Sequence, residues 1–174
     1  MATTSKQCLP PVGASDARLL ILGSLPGDAS LAAQRYYAHP TNQFWRLLGG
    51  AIGEELAALD YSARLGRLAQ RGIALWDVIA DATRPGSLDG AIRDVRANPL
   101  ARFIATNPNL QCVAFNGRTA ASVGRRALAG MQGPVLVDLP SSSAAFTRPL
   151  PEKMIAWGVL GGFAVPLVSA KVIQ

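Results

Sequence analysis

Arg18-Leu-Leu-Ile-Leu-Gly-Ser-Leu-Pro-Gly27 runs four consecutive apolar residues into an abrupt, glycine-bounded turn. A run this short and unbroken suits a strand buried on both faces, as a parallel sheet requires. Three more runs repeat the pattern. Ile73-Ala-Leu-Trp76 leads into Asp77 and the polar stretch Arg84-Pro85-Gly86-Ser87, and Leu110-Gln-Cys-Val-Ala-Phe115 ends in Asn116-Gly117. Val135-Leu-Val137 leads into Asp138-Leu139-Pro140 and three serines. Helical patterns lie between the runs. Asp28 to Tyr37 reads as one turn-rich helix, and Thr41 is placed to cap a helix carrying Phe44, Trp45, Leu47 and Leu48, stopped by Gly49-Gly50. Leu56, Leu59, Leu65 and Leu68 give an apolar side to one or two helices, and residues 99–106 and 118–129 supply helices around the third strand. Strand–helix alternation with right-handed crossovers predicts an α/β sandwich.

Composition agrees. The chain has 174 residues, 49% apolar and 16% charged, which excludes a disordered or highly charged tail and makes one packed domain the default. Its 17 Gly and 12 Pro are too many for a coiled coil. Cys8 and Cys112 are too few for a zinc ribbon or an iron–sulfur cluster and read as reduced thiols of a cytoplasmic protein. A net charge of +6 permits a nucleic-acid partner without demanding one.

Residues 1–17 show no secretory signal and read as a loose leader, leaving 18–174 as a single domain. The segment Met154 to Ala170 is uncharged and mostly apolar, at the lower end of the roughly 17–25 residues of a membrane span. Gly158, Gly161-Gly162 and Pro166 interrupt it and Trp157 lies inside it, so a helix packed on the sheet and a short extended tail are expected, not a span.

In an open α/β sheet, ligands bind outside the carboxyl ends of the strands. That rule gathers residues 23–45, 77–90, 116–119 and 138–149 on one rim. The Gly23–Gly27 turn is neither a Walker A loop nor a dinucleotide fingerprint. Its continuation, Tyr36-Tyr-Ala-His-Pro-Thr-Asn-Gln-Phe-Trp45, packs four aromatics, a histidine and amides into ten residues. Aromatics beside amides suit a pocket that stacks a flat base and reads its edge.

Together these two stretches resemble the first motif of the uracil-DNA glycosylase superfamily, nearest its hypoxanthine-DNA glycosylase branch, with the mismatch-specific uracil/thymine branch as a relative. Leu139-Pro-Ser-Ser-Ser-Ala144 resembles the second motif, a loop that enters the DNA minor groove. Gly72–Val78, Arg84–Asp89, Phe115-Asn-Gly117 and Glu152-Lys153 with Trp157 agree further, so the resemblance runs from about Leu19 to Trp157. It implies a three-layer α/β/α sandwich around a four-stranded parallel sheet. It also implies a monofunctional DNA-repair hydrolase that flips a deaminated base from duplex DNA and cleaves its N-glycosidic bond, with no metal and no cofactor; a monomer is expected. Mismatch-specific relatives carry a catalytic asparagine where this chain has Leu25, and Leu139 replaces the histidine or asparagine that opens the second motif in several branches. Hypoxanthine is therefore the expected base. Uracil or mismatch excision, and a DNA-binding module without catalysis, are the alternatives.

The branch resemblance puts catalysis on Asn42, whose carbonyl oxygen would position a water; a residue at the start of a helix beside its cap is the plainer reading. Asp28, the rival water activator, equally reads as a first-turn acid. Ser24, Leu25, Tyr37 and Asn116 are the base-pocket candidates, Tyr37 for stacking and Asn116 for the base edge, although Asn116 also reads as a turn residue. Ser141, Ser142 and Ser143 suit phosphate contacts, Phe146 suits a wedge into the stack, and His39, Arg84, Ser87 and Arg148 complete a DNA-facing rim. His39 also reads as a residue that holds its own loop. Arg118, Arg125 and Arg126 read as an ordinary solvated helix face.

Overall fold

A strand covered on both faces needs apolar side chains at every position, and the central runs supply them. The computed structural model describes residues 5–166. In chain order it contains β1 (Ser5–Gln7), β2 (Val12–Gly13), β3 (Leu19–Gly23), α1 (Asp28–Ala33), α2 (Phe44–Ile52), α3 (Tyr61–Gln70) and β4 (Ile73–Asp77). Then come β5 (Ile79–Thr83), β6 (Arg93–Ala97), α4 (Leu100–Ala105), β7 (Cys112–Asn116), α5 (Arg118–Ala127), β8 (Val135–Leu139) and α6 (Leu150–Trp157).

Strands β4, β3, β7 and β8 pair in parallel in that order. Every residue of β3, β4 and β7 is buried. Successive strand side chains point to opposite faces, so each strand feeds two cores. Leu19, Ile21, Ile73 and Leu75 pack with Phe44, Leu47, Leu48, Leu68 and Trp157 of α2, α3 and α6. Leu20, Leu22, Ala74, Trp76 and Phe115 pack with Leu100, Ile104 and Ala120 of α4 and α5. Helices therefore cover both faces, and the expected three-layer sandwich is present.

Several expectations need correction. The sheet has five strands, because β2 pairs antiparallel with β4, Val12 opposite Leu75. The stretch read as a loose leader is thus partly tied down, and β1 pairs with β5 in a second, three-stranded antiparallel sheet, β1-β5-β6. That sheet escaped pattern reading because β6 is exposed along its whole length and leaves no apolar signal. Strand β8 is an edge strand, with Val135 57% exposed, so it is not buried on both faces. Helix α1 stops at Ala33, where Gln34 turns left-handed at φ 52°. Helix α2 runs through Gly49-Gly50 and ends at Gly53, φ 72°; its first turn is met by Asn42, not Thr41.

The Met154–Ala170 segment divides. Helix α6 seats Trp157 in the core, a 3-10 turn spans Gly158–Gly162, and the Val165 amide bonds to Arg71. Residues 167–170 lie outside the described residues. Among the described residues no helix is long and apolar enough to cross a membrane.

Candidate active site

The carboxyl ends of β3, β4, β7 and β8 open into a cleft of about 1010 Å³. All four loops expected on that rim line it: Gly23–Ser30 with Tyr36–Asn42, Asp77 with Ser87–Asp89, Asn116–Thr119, and Asp138–Phe146. Parallel strands bring these loops together because their carboxyl ends share one edge of the sheet.

Asn42 stands where the two sequence motifs meet. Its Oδ1 accepts from the Phe44 backbone N–H at 3.0 Å and from the Ser142 hydroxyl at 2.9 Å. Ser142 is 1% exposed, and its Oγ accepts from Asn116 Nδ2 at 2.8 Å while its backbone N–H donates to Asn116 Oδ1 at 2.8 Å. A backbone bond from the Gln43 N–H to the Ser142 carbonyl adds a further tie. Because an N–H and an O–H both point at Asn42 Oδ1, the amide orientation is set, and its NH2 is the end left to serve a ligand. The carbonyl oxygen expected to position water is thus taken up inside the fold, and Nδ2 is the free end of the amide. Asn116 holds Ser142 with both ends of its amide, and Ser142 is buried among these partners instead of facing phosphate.

On the cleft floor, Tyr37 adopts φ 53°, a left-handed conformation uncommon outside glycine. Its ring stacks on Phe44 at 3.6 Å and 6°, so one face is taken, and its hydroxyl lies at the Gly23 end of β3. Ser24 donates to Asp89 Oδ1 at 2.7 Å, and Leu25 is 5% exposed against the second core. Tyr36 is core, its hydroxyl donating to the Leu9 carbonyl at 2.9 Å.

The rim differs most from expectation. Arg84 is fully buried and gives its guanidinium to the carbonyls of Leu25 and Pro26, with Asp89 at 3.6 Å. It holds the strand-exit turn and is out of reach of a DNA backbone. Asp28 is ion-paired with Lys6, whose ammonium holds the carboxyl below its usual range, so it is not a free base. Ser87 accepts from the Asp28 backbone N–H at 2.9 Å. His39 Nδ1 accepts from the Thr41 N–H at 3.2 Å and shapes its own loop. Ser141 and Ser143 remain half-buried on the cleft wall, Arg148 pairs with Glu152 at 3.3 Å, and Phe146 is 44% exposed beside the cleft.

A model of the uracil DNA glycosylase superfamily matches residues 10–157. The chain belongs to that superfamily. It is a DNA glycosylase by descent, and its substrate is DNA. Among similar proteins, a hypoxanthine DNA glycosylase of Methanosarcina barkeri is 41% identical over 154 residues, 87% of this chain and 95% of that protein. A second, from Methanosarcina acetivorans, is 42% identical over 143 residues, 82% of this chain and 89% of its own length. The solution NMR structure of a candidate uracil DNA glycosylase from Methanosarcina acetivorans superposes with a TM-score of 0.81 at 39% identity, covering 91% of this chain and 97% of that one.

Sequence reasoning gave no site role to three residues that line or brace the cleft. Lys153 is fully buried and donates to Gln43 Oε1 at 3.0 Å and to the Ser143 carbonyl at 3.1 Å, clamping α6 to both motifs. Glu152-Lys153 agrees with the family pattern, but a lysine in a helical pattern ordinarily faces water, so nothing local marked this one as buried. Arg118 is exposed on the cleft lining and makes no salt bridge among the described residues. Asp77, at the end of β4, is 3% exposed and also lines the cleft. Its place at a strand's carboxyl end was the available signal.

Proposed function

We propose that this glycosylase excises hypoxanthine from DNA by hydrolysing the N-glycosidic bond of a flipped deoxyinosine. The observation that carries the reading is the Asn116–Ser142–Asn42 chain of hydrogen bonds, which couples the two motifs and leaves the Asn42 NH2 for the substrate. Cleavage passes through an oxocarbenium-like sugar while negative charge gathers on the departing base. A donor held rigidly at that base or at the attacking water stabilises this charge. The relatives of matching length, both named hypoxanthine DNA glycosylase, support the choice of base.

Around the flipped nucleotide, Tyr37 offers an aromatic edge and Ser141 and Ser143 offer short polar groups to the backbone. Phe146, exposed beside the cleft, would fill the vacated stack. The reading treats the chain as one domain acting as a monomer on duplex DNA that carries a deaminated base. The direct test is a labelled duplex with one deoxyinosine, incubated with the protein and treated with alkali. Strand breakage at that position is the expected result. No breakage with inosine, uracil or xanthine duplexes would overturn the enzymatic reading and leave a DNA-binding module.

Arg118 and Arg84 separate under salt. Arg118→Ala is expected to reduce the slope of log Kobs against log salt by about one, as for one lost phosphate contact. Arg84→Ala should keep that slope and lower the melting temperature, because its guanidinium serves carbonyls inside the fold. Fluorescence anisotropy over a salt series checks both.

A further inference from the structure

Among the described residues, Asp77 is the only buried carboxyl-bearing residue, and the reaction outlined above gives it no work. It ends β4 directly opposite Gly23, its register partner at the end of β3. A Cβ on Gly23 would come within 2.6 Å of Asp77 Oδ1 and 3.0 Å of Tyr37 Oη. The missing side chain therefore makes room for a carboxyl and a phenol over one point of the cleft floor. Asp77 Oδ2 and Tyr37 Oη are both buried without a hydrogen-bond partner among the described residues. Buried polar groups are ordinarily paired, and unpaired atoms on two residues that meet at the Gly23 end of β3, both lining the cleft, mark the place of an absent partner. The backbone beneath is firmly held, since Asn98 Nδ2 donates to the Asp77 carbonyl at 2.8 Å.

We propose that Asp77 is a catalytic residue that binds the edge of the flipped base as a neutral carboxylic acid, donating its O–H to the base's carbonyl oxygen beside the Tyr37 hydroxyl. The proposal rests on the base-excision reading and names the group that reads a 6-oxopurine. Burial above all, and then Asp89, push the Asp77 acid up to about 8, with Arg84 acting against them. The titratable groups around it are Asp89 and Arg84 from the loop after β5, Tyr36 and Tyr37 from the segment after α1, and Cys8 from the segment after β1. Burial also raises Tyr37, so the pair meets the base as two neutral donors.

The chemistry balances without an added reactant. The C1′–N bond breaks with its electron pair on the base, and a water adds its oxygen to C1′ and releases a proton to solvent. The base takes up one proton from solvent, giving free base and a sugar hemiacetal. Asp77 begins and ends protonated, and its hydrogen bond strengthens as charge gathers on the base oxygen. A carboxylate in its place would repel that charge.

The test measures single-turnover base release from a deoxyinosine duplex between pH 5 and 10, with melting temperature followed over the range from pH 3.5 to 9. Asp77→Ala should slow release by about 100-fold, while Asp77→Asn, which keeps a donor, should come back to within about tenfold of wild type. The wild-type rate should fall above about pH 8, and Asp77→Asn should lack that fall. The melting readout needs no activity. A carboxyl held at about 8 in the native state, against 3.8 as its ordinary value, binds its proton more tightly when folded. Its stabilising contribution is complete below the ordinary value and is lost as pH rises toward 8, and Asp77→Asn should remove this dependence. Asp77→Ala within threefold of wild type, or an Asp77→Asn variant whose melting and rate profiles both follow wild type, would overturn the proposal. A wild-type protein that releases no base from any duplex would overturn the base-excision reading, and the catalytic role of Asp77 with it, even with the melting profile as expected.

Discussion

Replacing Asn42 with alanine is expected to slow base release from a deoxyinosine duplex by about 100- to 1000-fold under single-turnover conditions, the usual effect of removing one rigid donor to a developing charge. The size follows from how firmly the amide is held. Its oxygen takes the Phe44 N–H at 3.0 Å and the Ser142 hydroxyl at 2.9 Å, so the NH2 cannot turn away without breaking both bonds. A side chain held this way loses little on meeting the substrate, which is the physical content of preorganisation. The same variant removes the acceptor at the first turn of α2, at a cost of about 1 kcal/mol in stability, too little to unfold the domain. Ser142→Ala gives the intermediate result. It frees one lone pair on Asn42 and leaves the Asn116 NH2 short of an acceptor, so release slows by about tenfold as the amide loses its alignment. An Asn42→Ala variant within threefold of wild type would move the catalytic assignment to the cleft's carboxyl groups. Asp28 is poorly suited to inherit it, because Lys6 already claims that carboxylate.

The largest expected effect on stability comes from Gly124→Ala. Alanine normally improves a helix interior by about 1 kcal/mol over glycine. At this position the sign reverses. A Cβ on Gly124 would lie 2.2, 2.8 and 3.0 Å from three ring atoms of Phe115, which is fully buried in β7 between its neighbouring strands and α5. A buried ring in a filled core has no free volume to enter, and overpacking of this kind costs about 1–3 kcal/mol. For a domain of this size that lowers the melting temperature by about 3–10 °C, measurable by calorimetry or circular dichroism. Gly66→Ala is the matched control: it sits in α3 with nothing within 4 Å of a new Cβ, and should raise the melting temperature slightly. Gly124→Ala should also slow catalysis. Phe115 precedes Asn116, so displacing the end of β7 disturbs the hydrogen bonds that orient Asn42. A melting temperature equal to wild type would show that α5 can move off the sheet at little cost.

The parallel core was legible because its signal is local. Leu19–Leu22, Ile73–Trp76 and Cys112–Phe115 are apolar without interruption, and only a strand covered on both faces uses such a run. The antiparallel sheet β1-β5-β6 was not legible, since its residues are exposed or alternate with charges and its partners lie far apart in the chain. The extent of α2 was misjudged for a related reason. Gly49 looks like a stop, yet it lies inside the helix because the chain passes close by: a Cβ there would be 2.4 Å from the Glu54 carbonyl.

The site divides along the same line. Asn42, Tyr37 and Asn116 are visible as residue types in a motif, and the strand-end rule alone places their loops on one rim. Which atom of each faces the substrate was decided elsewhere. Arg84 and Arg118 carry the same charge in flexible side chains, and one is enclosed by carbonyls 58 and 59 residues away in sequence while the other stays in solvent. The pairing of Asp77 with Tyr37 depends on the missing side chain of Gly23, which lets both reach one point of the cleft floor. By itself, then, the sequence determined the layers, the parallel strands and the edge of the sheet where chemistry takes place, because periodicity and turn residues act over a few positions of chain. Tertiary structure alone decided which polar groups are spent inside the fold and which are left for the base, because a hydrogen bond depends on ångström distances between residues that the chain keeps far apart.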